Sequence, residues 1–464
     1  MNGTDVDQNL ISTVSFPLPF HILMLVGLGI FGWAMNLHGL DTAGIDVISA
    51  MDLRTDGNNP LPAHHTPRQS SNLFALYRAL YRISVAYGVL CLVSWSLYLY
   101  ATGGDIFLVD AFGYIPGIAA LFVLGALFCP YNILHKTERR KFLHAIRRCL
   151  TSPWDNPVYF SDVVLADIFT SFSQVLGDVW LSLCMLIPGN SILVIPFGEG
   201  WARWVLPTVM SLPYLVRFRQ CLIEYNHQGN TCNRPLYNAF KYATAFPVIY
   251  LAAAQRIVIA ELRRENGGKV IDTKWHGEHR LFRLWLLAAI INSLYSFWWD
   301  VTNDWGLTLL KPTLTEEDQG RPSPPRRLVL PRLHSSTPLI PKDHVGSLDS
   351  TADNPLHIVG HTSQLQLPRV PGLRTTLYFP ELVYPVAIIL NLLLRLAWSM
   401  RLSSLVQSHA SVSNFCLKLA ELVRRWMWVF IRVEWEMIKK GGEAKLRTDI
   451  DDLDYRLIPS ATTE

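Results

Sequence analysis

Apolar residues in this chain fall in blocks about 20 long, separated by short polar stretches, and not in one-sided stripes. Blocks of that length match the hydrocarbon thickness of a bilayer when helical, and a helix pairs its backbone groups internally. The pattern predicts an all-α, polytopic transmembrane helix bundle of about nine spans (eight to ten). They lie at about 16–37, 80–101, 107–130, 162–187, 202–217, 238–260, 281–300, 379–400 and 412–433. The fifth is short enough to be re-entrant. The stretch at 311–375, with "QGRPSPPRRLVLPRLHSSTP", is rich in Pro, Ser and basic residues and is expected to be a disordered cytosolic loop.

Composition agrees. Half of the 464 residues are hydrophobic and only 17% are charged, against roughly 25% in soluble domains. The basic segment "HKTERRKFLHAIRR", 135–148, sets the orientation: basic loops stay cytosolic. Counting from it places the N-terminus outside or in a lumen and the C-terminus in the cytosol. The loop at 261–280 is also basic yet falls on the opposite side, so it conflicts with this count. The first 53 residues hold no Lys or Arg, so no cleavable signal peptide is expected. The Asn2-Gly3-Thr4 sequon is read as chance. The expected organisation is N-terminal helices over 1–160, a membrane domain over 161–450 and a tail over 451–464.

The net charge of +4 shows no basic, aromatic-interleaved stripe, which argues against nucleic acid. Seven scattered cysteines without a CxxC pair predict no disulfide framework and no metal site. His135, His144 and His227 sit at unrelated spacings, and no nucleophile–base pair or phosphate loop is visible; an enzyme is not expected, nor a cofactor.

The informative residues are charges inside the apolar blocks, which are costly in lipid. Arg395 lies in the middle of "AIILNLLLRLAWSM", sharing a face with Asn391 and Trp398. Asp167, Ser171, Gln174 and Asp178 recur at i, i+4, i+7 and i+11, one face of a straight helix. Lys241 and Tyr242 open the sixth block, Asp300 and Asp304 close the seventh among tryptophans, and Arg424 and Arg425 are adjacent in the ninth. Taken singly, Lys241, Asp300 and Asp304 could snorkel at the interface, Arg424 and Arg425 could mark a cytosolic helix end, and the aspartates could form a helix–helix seam. Taken together, four cations and four carboxylates would repay their burial by converging on one wet cavity. Guanidinium forks match a tetrahedral oxyanion, and neighbouring acids hold the forks and keep binding reversible.

In order along the chain stand "RFRQCLIEY" (217–225), "NAFKYAT" (238–244), "WDVTNDWGL" (299–307), "ELVYP" (381–385), "LRLAW" (394–398) and "VRRWMWVFIRVEWE" (423–436). This set resembles the EXS-domain family of eukaryotic phosphate exporters and retrovirus receptors, over roughly 160–450. The absence of an SPX domain before the first block is similar to the short fungal branch named for an ER-retention defect. The resemblance implies a Golgi membrane protein that returns phosphate released by lumenal glycosylation and supports retention of glycosyltransferases and ER residents. It assigns phosphate binding to Lys241, Tyr242, Arg395, Trp398, Arg424 and Arg425, with Asp167, Asp300 and Asp304 as supporting acids. Asp178, Ser171, Gln174 and Asn391 are added as pore-lining residues from the stripe and the shared face. Expected partners are inorganic phosphate and membrane lipids, with glycosyltransferases or a coat adaptor at the cytosolic loops and a homodimer left open. The competing expectation is a retention factor that transports nothing. The long 311–375 loop departs from the exporters and suggests a partner special to this branch.

Overall fold

The computed structural model describes residues 13–51, 67–132, 135–154, 156–187, 189–193, 200–265, 280–309, 372–374, 376–397 and 410–457. Among them the ordered elements are all helical. In chain order they are α1 (Leu18–Thr42), α2 (Val47–Ala50), α3 (Pro67–Thr102), α4 (Ile106–Ala111), α5 (Tyr114–Phe128), α6 (Lys136–Thr151), α7 (Phe160–Ser171) and α8 (Ser173–Met185). A 3₁₀ turn at Gly200–Trp204 leads into α9 (Val205–Asn226), followed by α10 (Arg234–Ala243), α11 (Ala245–Glu265), α12 (Arg280–Trp299), α13 (Val383–Arg395) and α14 (Ala410–Leu457). Most of the 311–375 segment, the N-terminal sequon and the middle of the 261–280 loop lie outside the described residues.

Among the described residues, five helical segments are long and apolar enough to cross a membrane: Leu18–Thr42, Leu73–Thr102, Ile106–Phe128, Arg234–Leu262 and Arg280–Asp304. The pair α7–α8 makes a sixth if counted as one span, but it is bent by 58°. The chain is thus a multi-pass helical membrane protein. The other three expected spans fall on helices of a different kind. Helix α9 carries Pro213 and a buried Arg217; α13 has only 13 residues; α14 runs for 48 residues and carries several charges. A helix enclosed by protein can hold charges that a lipid-facing helix cannot.

Local chemistry sets several helix starts. Asp46 accepts from the Ser49 amide (3.1 Å) and Asp105 from the Phe107 amide (3.0 Å), satisfying donors left free at helix N-termini. Pro235 occupies the first turn of α10, where its missing N–H costs nothing. On α1 the stripe Gly29, Gly32, Asn36, Gly39 faces other helices. A methyl group at Gly29 would lie 2.7 Å from the Phe172 ring, and one at Gly39 2.7 Å from Phe430. Small residues here let α1 pack tightly, as they do generally between membrane helices.

The main core joins α1, α2 and α3 to α7, α13 and α14, with Trp305, Trp428 and Tyr384 fully buried. A second cluster at the far end of α1 and α3 is fastened by Tyr98, whose hydroxyl donates to Val14 O, and Tyr87, which donates to Leu23 O (both 2.9 Å). Helix α6 is amphipathic and is tied to α7 by Arg148, which forms a bidentate pair with Asp162 (2.6 and 2.7 Å). The chain returning at Gly372 is pinned to α14: Arg374 donates to Glu434 (2.8 Å), as do the Tyr378 amide and the Tyr384 hydroxyl. Thr308 N also donates to Gly372 O (3.0 Å).

Candidate functional site

After α12 the helix widens into a π turn over Asp300–Asp304, which ends at Trp305 with its amide bonded to Asp300 O. Such turns recur at functional sites. Both carboxylates face Lys241, at the last turn of α10: its Nζ lies 3.1 Å from Asp300 Oδ1 and 3.0 Å from Asp304 Oδ2. Asp300, wholly buried, also accepts from Arg395 and lies 3.5 Å from Arg424 Nη1 through the same oxygen, Oδ2. Asn391 Nδ2 approaches that oxygen at 3.4 Å.

Around this centre stand two further groups. Tyr242 donates to Asp167 (2.6 Å), which also accepts from Arg217 Nε (3.1 Å); Gln220 holds the other end of that guanidinium (2.7 Å). On α14, Glu421 accepts from Nε and Nη2 of Arg424 and from Ser171 Oγ (3.0 Å). Arg425 donates to Ser171 (3.0 Å) and Thr170 (3.1 Å) and lies 4.6 Å over the Trp428 ring. Tyr214 on α9 is within electrostatic reach of Glu421, Arg424, Arg425 and Arg395.

The structure therefore draws Lys241, Tyr242, Arg395, Arg424, Arg425, Asp167, Asp300, Asp304, Ser171 and Asn391 into one buried network built from α7, α10, the π turn, α13 and α14. Interface snorkelling is ruled out for Lys241 and Asp300, which are 5% and 0% exposed. Breaking a buried pair leaves an uncompensated charge, typically costing about 3–5 kcal/mol, so each member holds the others in place. Arg432 joins it through Asp304 (4.0 Å) and brings Glu436 (3.0 Å), so the ion-paired network has six cations, counting Arg217 and Arg432, against five carboxylates, counting Glu421 and Glu436. Three N–H groups in it have no hydrogen-bond partner among the described residues: Arg395 Nε, Arg424 Nη1 and Arg425 Nη1. Buried unspent donors beside surplus positive charge suit an anion with several acceptor oxygens.

Four expectations change. Arg395 is not at the centre of a span but is the last residue of the short α13, where the chain leaves the helix. The aspartate stripe is not on one straight face, because α7 and α8 meet at Phe172 with a 58° bend. Asp178 consequently leaves the network and pairs with Lys418 of α14. Gln174 is half-buried on α8, beyond the bend. Trp398 lies outside the described residues. A cavity of about 1940 Å³ beside the charges is mostly apolar-walled, and Arg425 alone of these residues lines it.

Sequence reasoning missed Arg217, Glu421, Lys418 and Tyr214. Arg217 opens a quoted motif, "RFRQCLIEY", and a charge at the inner end of an apolar block was a usable signal. Glu421 precedes Arg424 by three residues, the spacing of helical ion pairs.

A buried charged core inside a multi-pass helical bundle defines the class: a polytopic α-helical membrane protein. The EXS family model matches residues 16–438, and the chain belongs to that family. The match takes in the first helices, which carry no quotable motif. Protein ERD1 homolog 1 of Schizosaccharomyces pombe is 27% identical over 94% of this chain and 95% of its own length; homolog 2 is 24% identical over 91% and 98%. Phosphate transporter PHO1-2 of Oryza sativa subsp. japonica is 26% identical over 71% of this chain but 32% of its own length. SPX and EXS domain-containing protein 1 of Dictyostelium discoideum is 22% identical over 89% of this chain and 36% of its own.

Proposed function

We propose that this chain is an inorganic phosphate transporter of the Golgi membrane, working towards the cytosol and not as an enzyme. It would recover phosphate released by lumenal glycosylation and so support retention of glycosyltransferases and ER-resident proteins. The observation that carries the reading is the meeting of Arg395 and Arg424 on one oxygen of Asp300, with unspent N–H groups on both. Asp300 is a carboxylate standing where an anion is wanted. An incoming phosphate offers more acceptor oxygens and can take over Arg395 and the free edges of Arg424 and Arg425, while Glu421 and Ser171 keep the last two aimed. Lys241, held between Asp300 and Asp304, is freed in part as the arginines turn to phosphate. Release follows because the carboxylates compete for the same forks; binding must be weak enough to let the ion leave. The name of the rice relative supports phosphate as the anion, and the naming of the two fission yeast relatives as ERD1 homologs fits the resemblance to the ER-retention-defective branch from which the secretory-pathway setting is drawn.

The test is flux of labelled phosphate into liposomes carrying the purified protein, with sulfate as competitor. Wild type should transport, and Arg395→Ala and Arg424→Ala should not. Equal flux from all three would remove this site. A retention factor without transport is the second reading, favoured by the same fission yeast relatives and their printed name. It is separated by comparing deletion of 315–370 with Arg395→Ala in cells: mislocalised glycosyltransferases on loop deletion alone would favour it.

A further inference from the structure

The cavity of about 1940 Å³ lies between α1, α3, α6, α7–α8 and α14. It is roughly twice the upper end of the ordinary range for small-ligand pockets, and its walls are chiefly apolar. A free phosphate would leave nearly all of it empty. Two features set it apart from a plain lipid-facing groove. Its lining is basic: Arg78 and Arg82, one turn apart on α3, and Arg139 and Lys141 of α6 all contribute, with Lys141 paired to Glu138 at 3.7 Å. Arg139 is fixed in place by donating to Ala126 O (2.6 Å) and Cys129 O (2.9 Å) at the end of α5. Among its lining residues, Asn36, Arg425 and Trp426 also carry enclosed polar atoms, Oδ1, Nη1 and Nε1, without hydrogen-bond partners among the described residues. Asn36 and Arg425 are 2% and 4% exposed. Exposed Phe74 and Phe142 flank the same space.

We propose that this cavity holds one glycerophospholipid with an anionic headgroup. The acyl chains fill the apolar volume, and the headgroup phosphate sits between Arg78, Arg82 and Lys141. Charge complementarity selects the anionic class: a basic cluster at bilayer depth attracts acidic headgroups. Because Arg425 belongs both to this lining and to the ionic network, the bound lipid borders the anion site and sets the position of one of its arginines.

The full chain, purified in mild detergent, is incubated with dioleoylphosphatidylserine or dioleoylphosphatidylcholine, passed through size exclusion, and weighed by native mass spectrometry. One phosphatidylserine per chain should survive, with less phosphatidylcholine. Arg78→Gln with Arg82→Gln should weaken phosphatidylserine retention by about thirtyfold. Ala79→Trp or Ala145→Trp, which fill the cavity, should abolish retention of both lipids. Millimolar inorganic phosphate should displace none of it. Equal retention of the two lipids, or retention undiminished in the double glutamine variant, overturns the proposal. Displacement by phosphate overturns it too, by assigning the headgroup to the anion site. The glutamine variant keeps the test decisive where a tryptophan variant does not fold, its monodispersity and phosphate flux serving as the folding control.

Discussion

Arg395 and Arg424 reach one oxygen of Asp300 from different helices, α13 and α14, whose residues are separated in sequence by an undescribed stretch. Two guanidiniums on a single carboxylate oxygen leave that carboxylate overcommitted and the guanidiniums underused. That imbalance is the basis of the predictions about transport and stability.

Removing the carboxylate should destabilise the protein unless an anion replaces it. Asp300→Asn strips the counter-charge from Lys241, Arg395 and Arg424, and a broken buried ion pair costs about 3–5 kcal/mol. Thermal unfolding followed by fluorescence-detected size exclusion should show a marked drop. Added phosphate should restore more of the melting temperature in the variant than in wild type.

Charge alone should not suffice at the arginine positions. Arg395→Lys keeps the charge but loses the planar fork that can serve Asp300 and an oxyanion together. Its phosphate flux in liposomes should stay far below wild type, close to that of Arg395→Ala. Restoration of flux by lysine would mean that position 395 acts only as a point charge.

Tyr242→Phe isolates a second contact. The tyrosine hydroxyl donates to Asp167 at 2.6 Å, and losing it leaves a buried carboxylate with one donor fewer. The expected cost is about 1–3 kcal/mol. Arg217→Ala should cost more, since it leaves Asp167 without its ion-pair partner. Chemical denaturation in detergent should rank the two in that order.

Gly306 has φ +64, and a Cβ there would lie 2.4 Å from the Trp435 ring. Gly306→Ala combines left-handed backbone strain with a clash against an aromatic ring at the exit of the π turn. A loss of about 2–4 kcal/mol is expected, seen as a lower melting temperature and a reduced yield of folded protein in membranes.

Cysteine accessibility should divide cleanly. Cys149, on amphipathic α6, is buried against Asp162 and Gln220, and burial pushes its thiol up to about 11. Cys232 is exposed. At pH 7.5 a polar maleimide should label Cys232 and spare Cys149, as read by peptide mass mapping. Thiolate is the reactive form, and raising the pH towards 11 should bring Cys149 into reaction only as the group ionises.

The blocks of apolar sequence announced a helical membrane protein, and the charges within them announced most of the network. Asp300, Asp304, Lys241, Arg424 and Arg425 were visible because each is expensive in lipid. Their partners were not: Lys241 meets Asp300 across 59 positions and Arg425 meets Ser171 across 254, and no local spacing encodes such pairings. The straight stripe on α7–α8 misled because nothing around Phe172, neither Pro nor Gly, marks a bend; the turn is set by the helices packed against it. Arg217 stayed hidden because it looked like the end of a span. The short α13 was overestimated because apolar residues continue past Arg395 after the helix has stopped.

Helix α14 has a consequence beyond the site it carries. At about 1.5 Å per residue its 48 residues extend roughly 70 Å, more than twice the hydrocarbon thickness of a bilayer. Arg424 and Arg425 therefore ride on a rod that outreaches the lipid.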